Sequence, residues 1–309
     1  MVIMQKLILS MAIALNVGVS TSVNADVRHY SASLDNSAWR VSTYSPLQCT
    51  LEHKIPRYGD VSFQAHASRE MNLRMVVDML RLPDTYDVAA IKSVAPHWRP
   101  GVASRELGDL DLYRQFSSEV NKPLAWTILT ELEKGMQPTI YYADWHNRHD
   151  QVAVAISAVN FHDRYDDFLD CVAQLLPYSF EDISFTVLQY HERTDELTNP
   201  SKRRLMQVGE YLRHDQDIEL VLVDAHTDSY GPFEDNENLS VRRAESIKDF
   251  LVQAGVNESQ IRIGTHGQRR HVAGNKTELE RQKNLRVVVQ MQRPINPRLL
   301  SANLDAPAD

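Results

Sequence analysis

The chain has little cysteine. Cys49 and Cys171 are the two thiols among 309 residues. Cysteines so far apart lack the paired spacing of a structural zinc site. Basic residues are also in short supply: 33 Lys and Arg stand against 41 Asp and Glu, a formal net charge of −8. That balance argues against nucleic acid and anionic lipid surfaces as partners, since both call for a basic face. Beyond the first segment no apolar run is long enough to cross a bilayer, so stable membrane insertion is not expected. There is no internal repeat and no long low-complexity segment.

Catalytic signatures are missing too. Neither H-E-x-x-H nor G-x-S-x-G occurs, and a disulfide would leave no cysteine nucleophile. His226 and Asp228 have no third ligand at fixed spacing, and side chains at i and i+2 of a strand would have to converge on a metal. His146 and His149, beside Trp145, make an equally poor metal pair. The sequence makes no case for an enzyme, a cofactor or a bound metal.

Residues 1–25 read as a cleaved signal peptide. Lys6 supplies the positive start, Leu7–Val19 is mostly apolar but short for a span, and Val23-Asn24-Ala25 puts small residues before a cut at Asp26. The alternative is an uncleaved anchor helix. Loss of Lys6 would make the charge −9. An even cysteine count in an exported chain favours one Cys49–Cys171 disulfide, the alternative being two buried thiols. Closing a loop of that size is worth roughly 4–5 kcal/mol in the chain-entropy model. The remaining length suits two domains.

Residues 26–177 form the first unit, with mainly β signals. Trp39–Tyr44, Val61–Ala65, Ala125–Leu129 and Gln151–Ser157 alternate as half-buried strands do. Turn chemistry separates the runs at Pro56–Gly59, His97–Gly101 and Lys134-Gly135. Asp163–Leu176 instead carries Tyr165, Phe168, Leu169, Val172 and Leu175-Leu176 at helical spacing, with Pro177 as a stop. Cys171 is therefore expected on a helix and Cys49 on or beside a strand. The expected fold is a β-rich sandwich or barrel with one helix packed on it.

Residues 178–293 alternate differently. Ile183–Gln189 reads as a strand, and Asn199-Pro200 as a helix start with Leu205, Val208 and Leu212 on one stripe. Ile218–Val223 is a near-continuous apolar strand. Ser240 is placed to cap a helix with Ala244, Ile247, Phe250 and Leu251 inward, ended by Gly255. Ile261–Gly264, Thr277–Asn284 and Leu285–Met291 read as strand, helix and strand. The order is βαβαβαβ, the overall class α+β, and residues 294–309 are expected to be a flexible tail.

The stretch Asp224–Arg243 carries the most chemistry. Asp228 follows a strand end, where a carboxylate can hold an ammonium. Arg243, on the expected opening turn of a helix, offers a planar fork to a carboxylate, assisted by the free N–H groups of that turn. Facing one cleft, the two would form a receptor for a zwitterionic amino-acid group of the kind found on stem peptides of bacterial cell wall. On spacing alone, Asp228 is equally a turn residue accepting local N–H groups, and Arg243 a surface arginine paired with Glu237 or Glu245.

This stretch resembles the peptidoglycan-binding signature of OmpA-like domains. The matching residues are Ala225-His226-Thr227-Asp228, Gly231, Asn236, Leu239-Ser240 and Arg243-Ala244, followed by Ala254-Gly255-Val256 and by Arg281 with Asn284-Leu285-Arg286-Val287. Ala225, Glu280 and Leu285 depart from that pattern, as does the turn at Tyr190-His191-Glu192. The resemblance implies an OmpA-like fold in which Asp228 and Arg243 hold the amino and carboxylate groups of diaminopimelate. Thr227, Asn236 and Leu239 would line the pocket, with Arg281 nearby.

The first unit lacks the amphipathic strands and aromatic girdles of a lipid-facing barrel, and no cysteine follows Ala25 to carry a lipid. Its opening run Asp26–Asp35, Trp39 and the Cys49/Cys171 pair resemble the MotY family, T-ring components of sodium-driven polar flagellar motors. That resemblance implies a periplasmic, non-enzymatic protein at the flagellar basal body. Its first unit would dock to the LP ring and to MotX. Its second would fix the ring to peptidoglycan, helping the stator complex, directly or indirectly, to gather at the rotor. The competing readings are a generic periplasmic wall-tethering adaptor and a wall hydrolase.

Overall fold

The computed structural model describes residues 26–294 apart from Arg193 and Gln216. The expected signal peptide, and all of the expected tail beyond Pro294, lie outside the described residues. In chain order the elements are β1 (Val27–Ser31), β2 (Trp39–Tyr44), β3 (Gln48–Ile55), β4 (Gly59–His66), β5 (Arg74–Met79), β6 (Asp87–Val94), β7 (Arg105–Leu112), β8 (Ser118–Val120), α1 (Lys122–Glu133), β9 (Gln137–Ala143), β10 (Gln151–Ala155) and α2 (His162–Ala173). Then follow α3 (Phe180–Ile183), β11 (Phe185–Gln189), α4 (Asn199–His214), β12 (Leu220–His226), α5 (Phe233–Gln253), β13 (Ile261–Gly267), α6 (Glu278–Asn284) and β14 (Arg286–Gln292).

The first twelve elements make two five-stranded sheets, ordered β1-β10-β9-β6-β7 and β2-β3-β4-β5-β8. Alternation explains them: β4 buries every second residue along its length. Leu51, Phe63 and Met75 from one sheet share a core with Ile91, Leu110, Ile140 and Val154 from the other. Trp39 lies in that core with its ring stacked on His53 at 4.6 Å and edge-on to Phe161 at 4.9 Å. Its indole N–H donates to the Ser157 carbonyl at 2.9 Å, so the buried donor is met.

The expectation of a single helix on this unit is corrected. Ala125–Leu129, read above as a strand, lies inside α1. A five-residue window of A-W-T-I-L fits period 2. The longer run buries Ala125, Ile128, Leu129 and Leu132, the i, i+3, i+4, i+7 set of a helix. Asn121 accepts the Leu124 N–H as cap, and Pro123 stands in the first turn, so the start signal was present.

Cys49 on β3 and Cys171 on α2 form a disulfide across a sequence separation of 122, with Cα atoms 6.0 Å apart. Both are fully buried. They lie close to where the two units meet: the Leu176 N–H donates to the Pro46 carbonyl, Arg69 pairs with Asp182 at 2.9 Å, and Leu47 and Leu176 pack on the second core.

The second core lies between a four-stranded sheet, ordered β11-β14-β12-β13, and α4 and α5. Val221 and Val223 on β12 and Val287 and Val289 on β14 pack on Leu205, Val208, Ile247 and Leu251. Two boundaries differ from the expected ones: α4 starts one residue earlier, with Thr198 at the cap position, and Ser179 caps the single turn α3, which takes Ile183 out of the strand. Gly255 ends α5 at φ 104°, a left-handed conformation that a side chain would strain. Among the described residues no helix is long and apolar enough to cross a membrane.

The bridge constrains the unfolded chain over a long loop. Cys49→Ser is expected to cost about 2–5 kcal/mol and to lower the melting temperature by calorimetry. An unchanged melting temperature would show that the bond contributes nothing.

Candidate functional site

The C-terminal end of β12 delivers the polar residues. Its register with β13 shifts between Ala225 and His226, which turns the chain out of the ladder. The Thr227 N–H still donates to the Gly267 carbonyl at 2.8 Å, and its hydroxyl to the Asp228 carbonyl at 3.1 Å. The Tyr230 N–H donates to Asp228 Oδ1 at 3.2 Å, a local turn contact. Gly231, at φ 101°, then admits Pro232, and α5 begins.

That start corrects the reading of Ser240 as a helix cap. Pro232 precedes the first residue of α5, Glu234 and Asp235 fill its first turn, and Ser240 is buried in mid-helix with its hydroxyl donating to the Glu237 carbonyl at 2.8 Å. Arg243 therefore lies far from the free N–H groups of the first turn, and those groups do not act on its site. Gly231-Pro232 and the acidic run were the stronger start signals.

The longer helix puts Asn236, Ser240 and Arg243 on one buried face with Ala244, Ile247 and Leu251. Leu239 is half-buried, one turn before Arg243. Asn236 donates to Gln268 Oε1 at 3.3 Å and to the Tyr230 carbonyl at 3.4 Å, tying α5 to both neighbouring loops.

The expectation of an open cleft between Asp228 and Arg243 is changed by burial: Asp228 is 5% exposed and Arg243 1%. The Arg243 guanidinium lies 4.2 Å over the Tyr190 ring. One of its terminal nitrogens donates to the Thr194 carbonyl, and Nε is 3.9 Å from Asp195. Burial pushes its pKa down, opposed by the neighbouring Tyr190 and by the Asp195 and Asp228 carboxylates, whose charges favour the cation. Glu237 pairs instead with Arg269 at 2.8 Å. Among the described residues the Nε and Nη1 donors of Arg243 have no hydrogen-bond acceptor, and neither does Nε of Arg281.

Arg281, at the start of the C-terminal half of α6, completes the group. Its Nε is 3.7 Å from Glu192 and 3.9 Å from Asp228, and its guanidinium lies 5.6 Å from the Tyr230 ring centre. Thus Asp228, Arg243 and Arg281 come together with the Tyr190–Asp195 loop. Sequence reasoning singled out the turn at Tyr190-His191-Glu192 only as a departure from the OmpA-like pattern and gave no role to Thr194 or Asp195; a loop carbonyl leaves no residue pattern to read.

Asn284 builds the remaining wall. Its carbonyl accepts the Val272 and Ala273 N–H groups, and its amide donates to the Ala273 and Gly274 carbonyls and to Asn275. Asn275 in turn accepts the Ser229 N–H at 3.2 Å. The side of the site toward β13 holds His226, stacked on His266 at 4.8 Å, with His266 3.1 Å from Asp224. Burial first, then Arg286 and His266, pull the His226 pKa down to about 4. Among the described residues no three His, Cys, Asp or Glu side chains converge as metal ligands.

Residues 30–177 match the MotY N-terminal domain, and residues 189–285 match the OmpA family. The sodium-type flagellar protein MotY of Vibrio parahaemolyticus is 40% identical over 291 residues, spanning 94% of this chain and 99% of the relative. The outer-membrane lipoprotein YfiB of Pseudomonas aeruginosa is 36% identical over 95 residues, 31% of this chain and 56% of the relative. The solved peptidoglycan-associated lipoprotein of Burkholderia pseudomallei aligns at 24% identity and a TM-score of 0.32, over 34% of this chain and 89% of its own.

Loss of the Asn284 side chain leaves the Val272 and Ala273 N–H groups without their acceptor. Asn284→Ala is expected to destabilise the protein by about 1–3 kcal/mol and to speed hydrogen exchange at Val272 and Ala273; protected amides there would contradict the role. The His226 shift sets a pH window. Unfolding frees the imidazole to its ordinary value of 6.5, so its contribution is complete above that pH and is lost as pH falls from 6.5 through about 4. Denaturation at stepped pH should show that slope, and His226→Asn should flatten it.

Proposed function

The chain belongs to the MotY family of sodium-type flagellar proteins, and on that premise we propose a purely mechanical role for it, as the T-ring link between motor and wall. It is a flagellar motor component tethered to peptidoglycan through its OmpA domain. In this reading the protein works in the periplasm after loss of residues 1–25. Residues 26–177 dock to the basal body at the LP ring and to MotX, residues 178–293 hold the wall, and stator units gather around the ring so formed.

One observation carries the wall contact: Arg243 and Arg281 bury N–H donors that no group among the described residues accepts, beside the Asp228 carboxylate. A buried unmet donor on a charged group costs stability until an acceptor arrives. The carboxylate of a diaminopimelate residue supplies that acceptor, and its ammonium suits Asp228. Thr227, Asn236 and Leu239 frame the two. Contacts of about 1.5–3 kcal/mol each give micromolar to millimolar single-site binding. Many copies on one polymer turn that into firm attachment.

Asp228→Ala and Arg243→Ala are each expected to weaken co-sedimentation with purified sacculi by about tenfold or more at a temperature where thermal denaturation shows each variant still folded. Full sedimentation of both variants would remove the pocket assignment. Deleting the gene should abolish swimming while filaments persist; normal swimming would leave only a general wall adaptor. Release of soluble muropeptides from sacculi would instead reveal a hydrolase.

A further inference from the structure

A concave site lies on the first unit. It is a cavity of about 340 Å³ bordered by β1 and by the turns after β3, β5 and β9. Arg28, Arg57 and Arg81 rim it, against a single carboxylate, Asp144. Arg28 spends its charge on buried Asp144 at 3.0 Å. Arg57 and Arg81 are exposed and have no carboxylate partner among the described residues. The walls are aromatic: Tyr142 and Trp145 stack at 5.4 Å, and Tyr30 meets Tyr58 at 5.3 Å. A chain of net charge −8 thus concentrates unpaired cations at one hollow.

The edges of the two sheets differ. β2 and β7 each carry a register shift, and β8 is three residues long, devices that blunt an edge. β1 has none of these. It pairs with β10 in parallel through all five residues without a bulge, and among the described residues no strand lies on its other side. Its residues Arg28, His29 and Tyr30 also line the cationic hollow.

From these two observations we infer that β1 and the hollow beside it form a docking site for an extended acidic peptide segment of a partner protein. The peptide adds a strand to the free edge of β1 and sends acidic side chains to Arg57 and Arg81. The ladder meets main-chain N–H and C=O groups that a saccharide cannot, and the unpaired guanidiniums select acids over bases. This rests on the reading that the first unit docks to protein, and it names the surface and the partner chemistry.

Fluorescence anisotropy of the full chain with a fluorescein-labelled alternating Glu-Val peptide tests it. Binding is expected for this peptide and not for the Lys-Val counterpart. The exposed double variant Arg57→Asn/Arg81→Gln is expected to bind at least about tenfold more weakly; Asn tolerates the left-handed conformation of Arg57, at φ 65°. The same Glu-Val peptide N-methylated at alternate residues should also lose binding, an arm independent of any variant. The inference is overturned by no binding, by equal binding of the double variant or of the N-methylated peptide, by polygalacturonate competing as well as peptide of equal charge, or by a dimer of the chain that the peptide dissolves. If the peptide fails while the full chain still localises to motors, docking survives and only this surface is wrong.

Discussion

A buried guanidinium organises the wall-facing half of the molecule. Arg243 has left water almost completely, and desolvation is costly unless the charge is met. Tyr190 offers its ring, Thr194 a carbonyl, Asp195 and Asp228 their fields. Arginine keeps its proton in such a place where lysine would not. Among the described residues, two of its donors have no acceptor. That incompleteness gives the proposed ligand its sign and its chemistry: an anion with oxygen lone pairs.

The rest of the site serves to hold that arginine against the β12 turn. Asn236 ties the first turn of α5 to the Tyr230 and Gln268 loops. Asn284 fixes the loop whose Asn275 holds Ser229, next to Asp228. Since α5 begins at Phe233, the proposed anion contact of Arg243 rests on its own unmet donors, and the helix dipole plays no part.

The second unit was largely legible in the sequence because its strands are continuous apolar runs and its helices carry clear stripes. Asp228, Arg243 and Asn284 could be picked out from ordered motif positions. Burial could not, since it depends on the Tyr190–Asp195 loop closing over from a distant part of the chain. The first unit was less readable. Short alternating runs such as Ala125–Leu129 fit two periods, and only the flanking Asn121 and Pro123 decide between them. The pairing of β1 with β10, more than a hundred residues away, leaves no local trace. The disulfide was readable from cysteine count and compartment alone.

In the proposed arrangement, with the first unit docked and the second anchored, that disulfide lies on the line of force. Cys171 is in the last turn of α2, a few residues before Pro177 and the first turn of the second unit. A tug on the connecting segment would otherwise peel α2 away one turn at a time. The bond hands the strain to β3, which is laddered to β2 on one side and to β4 on the other. Such a strand must slide against both neighbours at once before it yields, so a rotating machine could pull on this connection without unravelling it.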